Sequence, residues 1–209
     1  MLPINIISSG SDGNAVIYFD RIMVDCGVPF AALSDTYKNI SLVLLTHRHR
    51  DHFNIRTIKT LSKRRPALRF ICGEHLRNEL EEIRNVDIIQ PGYTCDYGPY
   101  QISPVYLYHD TPNFGYRIYK DDIKIFHATD TAHLQGITAP DCDLYAIEAN
   151  YDEDNVYDII RENRLRGKYD HHIGAINSHL SIQQAQNFAL QNGTPGKSKL
   201  LILHQSKDF

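Results

Sequence analysis

The sequence predicts one α/β domain with many strands, several of them antiparallel, and three observations carry that prediction. Strand-sized apolar runs alternate with helical spacing early in the chain, the middle is almost all strand, and no linker or internal repeat divides its 209 residues. Short runs at 4–7, 15–19 and 22–25, separated by SSGSDGN and by Asp20-Arg21, form an opening set of paired strands. SLVLLT at 41–46 is a buried strand that leads straight into histidines. Ile55, Ile58 and Leu61 then recur at helical spacing before Pro66, LRFICG is a strand, and Leu76, Leu80 and Ile83 mark a second helix. Between 86 and 127, VDIIQ, YQISPVYLYH, FGYRIYK and IKIFHATD are strands punctuated by PG, DYGP, DTPN and KDD turns. DLYAIEA at 143–149 is a further buried strand, and Val156 to Leu165 is a helix. Ser181 and Gln184 fit the S-x-x-Q capping box of another helix. Its residues Ile182, Ala185, Phe188 and Ala189 share one face, and Gly193 with Pro195 supplies the stop before the strand KLLILH.

Lys+Arg 22 against Asp+Glu 25 leaves a net charge of −3, and 42% hydrophobic with 22% charged residues is ordinary for a globular protein and excludes wholesale disorder. No apolar run approaches the ~20 residues of a membrane span. MLPINIISSGSDGN lacks a basic region followed by a long apolar core, so the expectation is a cytoplasmic protein with no membrane partner. Cys26, Cys72, Cys95 and Cys142 are widely spaced and form no C-x-x-C pair, which argues against a zinc ribbon or a disulfide framework and for buried thiols.

Histidine is the unusual quantity, at 11 residues dispersed along the chain. After SLVLLT come His47, His49, Asp51 and His52, four ligand-type side chains within six residues. On an extended segment His47 and His49 point the same way, and the turn that follows can bring Asp51 and His52 to an adjacent point. Imidazole and carboxylate suit zinc, manganese or iron, and the lack of thiolate argues against a closed structural zinc.

THRHRDH resembles the H-x-H-x-D-H signature of the metallo-β-lactamase superfamily, and the likeness continues in order along essentially the whole chain. SSGSDGN and VDCG look like the family's glycine-rich opening turn and acidic strand end. YHDTPNFGYRI, ATDT, IEANYDED, SHLS and LILHQS resemble later motifs of its nuclease-like branch, particularly the YycJ (WalJ) and ribonuclease Z-like proteins. The resemblance implies an αββα sandwich, two mixed β-sheets flanked by helices, spanning 1–209 as a single domain with metals at one edge between the sheets. It also implies two divalent ions, zinc or alternatively manganese. His47, His49 and His109 would hold one, Asp51, His52 and His204 the other, and Asp130 would bridge them. His109, Asp130 and His204 each follow an apolar strand, where a loop can project a ligand. Such a set leaves room for a bridging water, whose pKa a zinc-like cation lowers to around neutrality, making hydroxide the nucleophile; Asp51 could accept its proton.

His179 sits two residues before the capped helix start at Ser181, where backbone N–H groups favour an anion. The resemblance gives it phosphate contact or leaving-group protonation. Glu148 in IEANYD resembles the glutamate of the ribonuclease Z H-E-A-T motif, but Ile147 replaces the histidine of that motif, and Tyr151 stands where YycJ-like chains carry a histidine. The catalytic candidates are therefore Asp51, His179 and Glu148. His75, His133, His171 and His172 read as surface or capping residues, and His127 as a core residue or a partner to a ligand.

Between 48 and 69 eight basic residues face one acid, Asp51, a local excess of +7 that suits a polyanion as readily as a solvated helix face. The sequence thus predicts a two-metal phosphodiester hydrolase, most like a YycJ-type DNA or RNA nuclease. The alternatives are a cyclic-nucleotide phosphodiesterase of the phage anti-defence (anti-Pycsar) type, whose pocket a homodimer partner's tyrosines would complete, and a non-catalytic metal-binding module.

Overall fold

A computed structural model describes residues 2–166 and 176–205, and the chain divides into two compact units, Met1–Tyr93 and Thr94–Phe209. The first unit is built on a six-stranded sheet in sequential order: β1 Ile4–Ser8, β2 Ala15–Tyr18, β3 Ile22–Val24, β4 Leu42–Leu44, β5 Arg69–Cys72 and β6 Val86–Ile88. β1, β2 and β3 pair antiparallel, and from β3 onward the neighbours are parallel. Helix α1 (Ile55–Arg64) starts where the Asn54 side chain accepts from the N–H groups of Arg56 and Thr57. It buries Ile58 and Leu61 against Met23, Val43 and Phe70, each such side chain contributing about 1.5–3 kcal/mol.

The helix expected over Leu76, Leu80 and Ile83 is instead two short 3-10 turns, Glu74–Leu76 and Asn78–Leu80. The three apolar side chains are still buried, so the spacing identified the covered face correctly. Local ties favour the tighter turn: His75 Nε2 donates to the Thr46 carbonyl at 2.9 Å, and Arg77 pairs with Glu74.

The second unit carries β7 Cys95–Tyr97, β8 Tyr100–Leu107, β9 Asn113–Lys120, β10 Ile123–Ala128, β11 Leu144–Glu148 and β12 Lys199–Leu203, in the order β12-β11-β10-β9-β8-β7. β7 to β10 form an antiparallel meander, while β10, β11 and β12 run parallel. β7 escapes the sequence pattern because it is only three residues long and none of them is fully buried; its hairpin turns through Gly98 at φ 63°. Helices α2 (Glu153–Leu165) and α3 (Ile182–Asn192) follow, and the capping box of Ser181 and Gln184 is present in both directions. Phe188 of α3 packs on Phe126 and Tyr145 in the unit's core.

Both sheets are mixed, as expected. Their parallel strands point their carboxyl ends at loops that hold the candidate ligands, the usual place for a site in such a sheet. No described helix is long and apolar enough to cross a membrane.

Candidate metal centre

In the first unit, β3 delivers Asp25 and β4 delivers His47. Asp25 sits at the strand's end with φ 62°, a left-handed conformation that Asp tolerates better than most residues. Its carboxylate is buried and heavily used. Oδ1 accepts from Thr46 N at 3.0 Å and Thr46 Oγ1 at 2.8 Å, and Oδ2 accepts from His52 Nδ1 at 2.6 Å. Because the Thr46 hydroxyl donates to Asp25, it accepts from His47 Nδ1 at 3.0 Å. Both His47 and His52 thus carry N–H on Nδ1 and present the Nε2 lone pair, which is the tautomer a metal ligand needs. His52 Nε2 faces Asp51 Oδ2 at 3.4 Å and the Asn14 amide nitrogen at 2.9 Å. The His47 ring lies 4.7 Å from that of His49 and 4.3 Å from that of His52.

Backbone hydrogen bonds fasten this ligand loop to the opening strands. Asn14 N donates to Asp51 O at 2.6 Å, Cys26 N to His52 O at 2.9 Å and Asn54 N to Cys26 O at 2.8 Å. Gly27 has to be glycine here, since a Cβ would lie 1.7 Å from Asp51 O. Sequence reasoning noticed VDCG but passed over Asp25, Asn14 and Thr46 as working residues. Their signal was position alone, an acidic strand end and a turn asparagine beside the strand that carries the histidines.

In the second unit, His109 follows β8, Asp130 follows β10, Glu148 ends β11 and His204 follows β12. Asp130 and His204 both adopt positive φ, 56° and 49°. The Asn113 amide donates to the carbonyls of Thr129 and Asp130 at 2.9 and 2.7 Å, fixing that turn. His109 Nε2 is 3.2 Å from Asp110 Oδ1 and 3.8 Å from Asp130 Oδ2, and His204 Nε2 is 3.5 Å from Asp130 Oδ1. Asp130, Glu148, His179 and His204 each offer a ligand atom, all within 4.8 Å of one another. Imidazole and carboxylate donors gathered this closely fit a divalent cation.

Glu148, fully buried, accepts from Thr131 N through Oε1 and from His179 Nδ1 at 2.7 Å through Oε2. Burial raises its carboxyl pKa, and the neighbouring His179 offsets only part of that rise. A neutral His179 that donates Nδ1–H to Glu148 carries its lone pair on Nε2, the posture of a residue that can exchange a proton. The replacement of the H-E-A-T histidine by Ile147 therefore does not separate Glu148 from an imidazole.

The remaining histidines divide. His75 is half-buried behind the ligand loop, and burial lowers its pKa. His127 is buried on β10, whereas His133 stacks on Tyr108. His171 and His172 lie outside the described residues. Half of the basic run at 48–69 is engaged internally: Lys59 pairs with Glu82 and Arg69 with Asp87, Arg65 donates to the Tyr37 and Lys38 carbonyls, and Arg64 lies over the Phe30 ring.

Comparison with known proteins agrees with this arrangement. The beta-lactamase superfamily domain model matches residues 20–204. A UPF0173 metal-dependent hydrolase of Pyrococcus furiosus is 29% identical over 140 residues, an alignment that spans 57% of this chain and 59% of that protein. Among solved structures, the metallo-beta-lactamase fold protein YhfI from Bacillus subtilis superposes with a TM-score of 0.73 at 18% identity, covering 97% of this chain and 85% of that one. The short form of human tRNase Z gives 0.69 at 18% identity, with 98% and 93% covered. The family match runs from β3 to His204 and takes in every candidate ligand, so the chain belongs to the beta-lactamase superfamily domain family and has the metallo-β-lactamase fold.

Proposed function

We propose that the protein is a metal-dependent phosphodiester hydrolase, acting on DNA or RNA in the manner of a nuclease. The observation that carries this reading is the pair of tautomer-fixed histidines, His47 and His52, both oriented through Asp25 to present Nε2. In this reading His47, His49 and His109 take one divalent ion, Asp51, His52 and His204 a second, and Asp130 is shared. Zinc suits the donor set, with manganese the alternative. Two such ions, when bound, stabilise charge on phosphoryl oxygens and lower the pKa of water. Asp51 accepts the proton of the attacking water, and His179, held by Glu148, contacts the phosphate and protonates the leaving oxygen. The names of two relatives support this reading: one is a metal-dependent hydrolase and the other a tRNA nuclease.

One observation favours a smaller substrate. The internal pairing of Lys59, Arg64, Arg65 and Arg69 removes half of the basic residues that a long polyanion would meet. A cyclic-nucleotide phosphodiesterase uses the same ligands without needing a basic track. A hydrolysis panel on metal-analysed protein, with zinc and manganese compared, separates the two readings. The panel contains bis-p-nitrophenyl phosphate, end-labelled single- and double-stranded DNA and RNA, and 3′,5′-cyclic nucleotides. Cleavage of polymers with cyclic nucleotides intact is the expected result. The reverse pattern selects the second reading, and inertness toward every phosphodiester overturns both.

A further inference from the structure

Tyr108 is 48% exposed and immediately precedes the candidate ligand His109 in the chain. Its backbone is clamped on both sides. The Tyr108 N–H donates to Thr131 Oγ1 at 3.0 Å, and its carbonyl accepts from Ala132 N at 2.7 Å. The same Thr131 hydroxyl donates to the His133 carbonyl at 2.8 Å. This lock sets the His133 ring under the Tyr108 ring, with centroids 4.0 Å apart and planes at 32°. One face of Tyr108 is thus covered, and its exposure belongs to the rest of the ring. Ordering has been completed before any ligand arrives, which reduces the entropy a bound partner must offset.

Position in the chain connects this ring to the chemistry. Tyr108 immediately precedes His109, and His133 follows Asp130 by three residues. The Tyr108 backbone is bonded to Thr131 and Ala132, the two residues that follow Asp130, so a phosphate ester held by a cation on His109 and Asp130 would present its nucleoside beside the segment that carries the Tyr108 ring. We propose that Tyr108, backed by His133, is the stacking platform for the nucleobase of the substrate, which makes the substrate a nucleoside phosphate ester. This rests on the phosphodiester reading above. Stacking tolerates any base because every base has a π-face, so purine and pyrimidine nucleotides both profit from the platform.

The test measures binding to the full chain by titration calorimetry, with AMP as probe and ribose 5-phosphate as its base-less counterpart. Wild-type protein binds AMP about 5- to 150-fold more tightly than ribose 5-phosphate, the range that stacking of one base supplies. Tyr108→Ala brings AMP down to the ribose 5-phosphate level without weakening ribose 5-phosphate itself, whereas Tyr108→Phe keeps the preference. A preference that survives in Tyr108→Ala, or a wild-type protein that treats the two probes alike, overturns the proposal. The hydrolysis panel is read separately. Active protein with no preference for AMP sinks the platform alone, and inert protein with the preference intact sinks the hydrolase reading alone.

Discussion

In the first unit four ligand-type side chains come from six consecutive residues, whereas in the second His109, Asp130, Glu148, His179 and His204 come from five separate segments. The first set is held by backbone: a single loop stitched to Asn14 and Cys26 and packed against Gly27, with Asp25 orienting two rings at once. The second set is held by the ends of strands and by side-chain clamps, the Asn113 amide on the Asp130 carbonyl and the Glu148 carboxylate on the Thr131 N–H. A loop organised by its backbone fails as a unit when one atom is added to it. A site assembled from strand ends loses one function at a time.

Four variants sharpen that contrast. Asp130→Ala removes the only carboxylate assigned to both ions, so metal content measured after dialysis and turnover should both collapse; undiminished turnover refutes a shared ligand. His179→Ala leaves metal content near the wild-type value and slows hydrolysis by about 10²- to 10⁴-fold, the usual contribution of a positioned acid or base. Loss of one ion in that variant would instead mean that His179 ligates in place of His204, an exchange that the clustering of the two with Asp130 and Glu148 permits geometrically. Asp25→Asn keeps the shape but frees the choice of tautomer at His52, and metal affinity should fall about 10- to 100-fold, read by competition with a chelating dye.

Gly27→Ala is the structural counterpart, because its Cβ would collide with the Asp51 carbonyl. The expected cost is about 3 kcal/mol, or roughly 10 °C in Tm for a chain of this size. A thiol reagent reports where the damage lies. Burial pushes the Cys72 and Cys142 thiols up to about 12 and about 11 and the Cys26 thiol higher still, which leaves half-exposed Cys95 as the reactive one in native protein. Release of the ligand loop uncovers Cys26, whose N–H holds His52, and adds a second reactive thiol.

The same contrast explains what could be read from the sequence. His47 to His52 announced themselves because ligand residues packed into one short segment are a local signal. The strands were visible where short apolar or alternating stretches lay between turn residues, and the Ser181 helix was visible because capping chemistry is local. His109, Asp130 and His204 had only a strand before them as local evidence, and their grouping came from resemblance to a family. Asp25 and Thr46 were missed because an acid and a hydroxyl acquire their roles only when β3 and β4 lie side by side, a pairing no local pattern encodes. The 3-10 turns after β5 escaped for a similar reason, since the hydrogen bond from His75 to Thr46 is tertiary.

β12 carries a consequence for assembly. It is the outermost strand of its sheet, held by a ladder to β11 alone, in which Glu148 stands opposite Leu203 with His204 the next residue. Side chains alternate along a strand, so a slip of one residue would turn His204 to the other face. Parallel pairing between β11 and β12 also has to wait for the intervening helices. The ring that completes the second unit's cluster is therefore set by a late pairing event at one edge of that sheet, and a cation gripping His204 would act as a latch on the register of that edge.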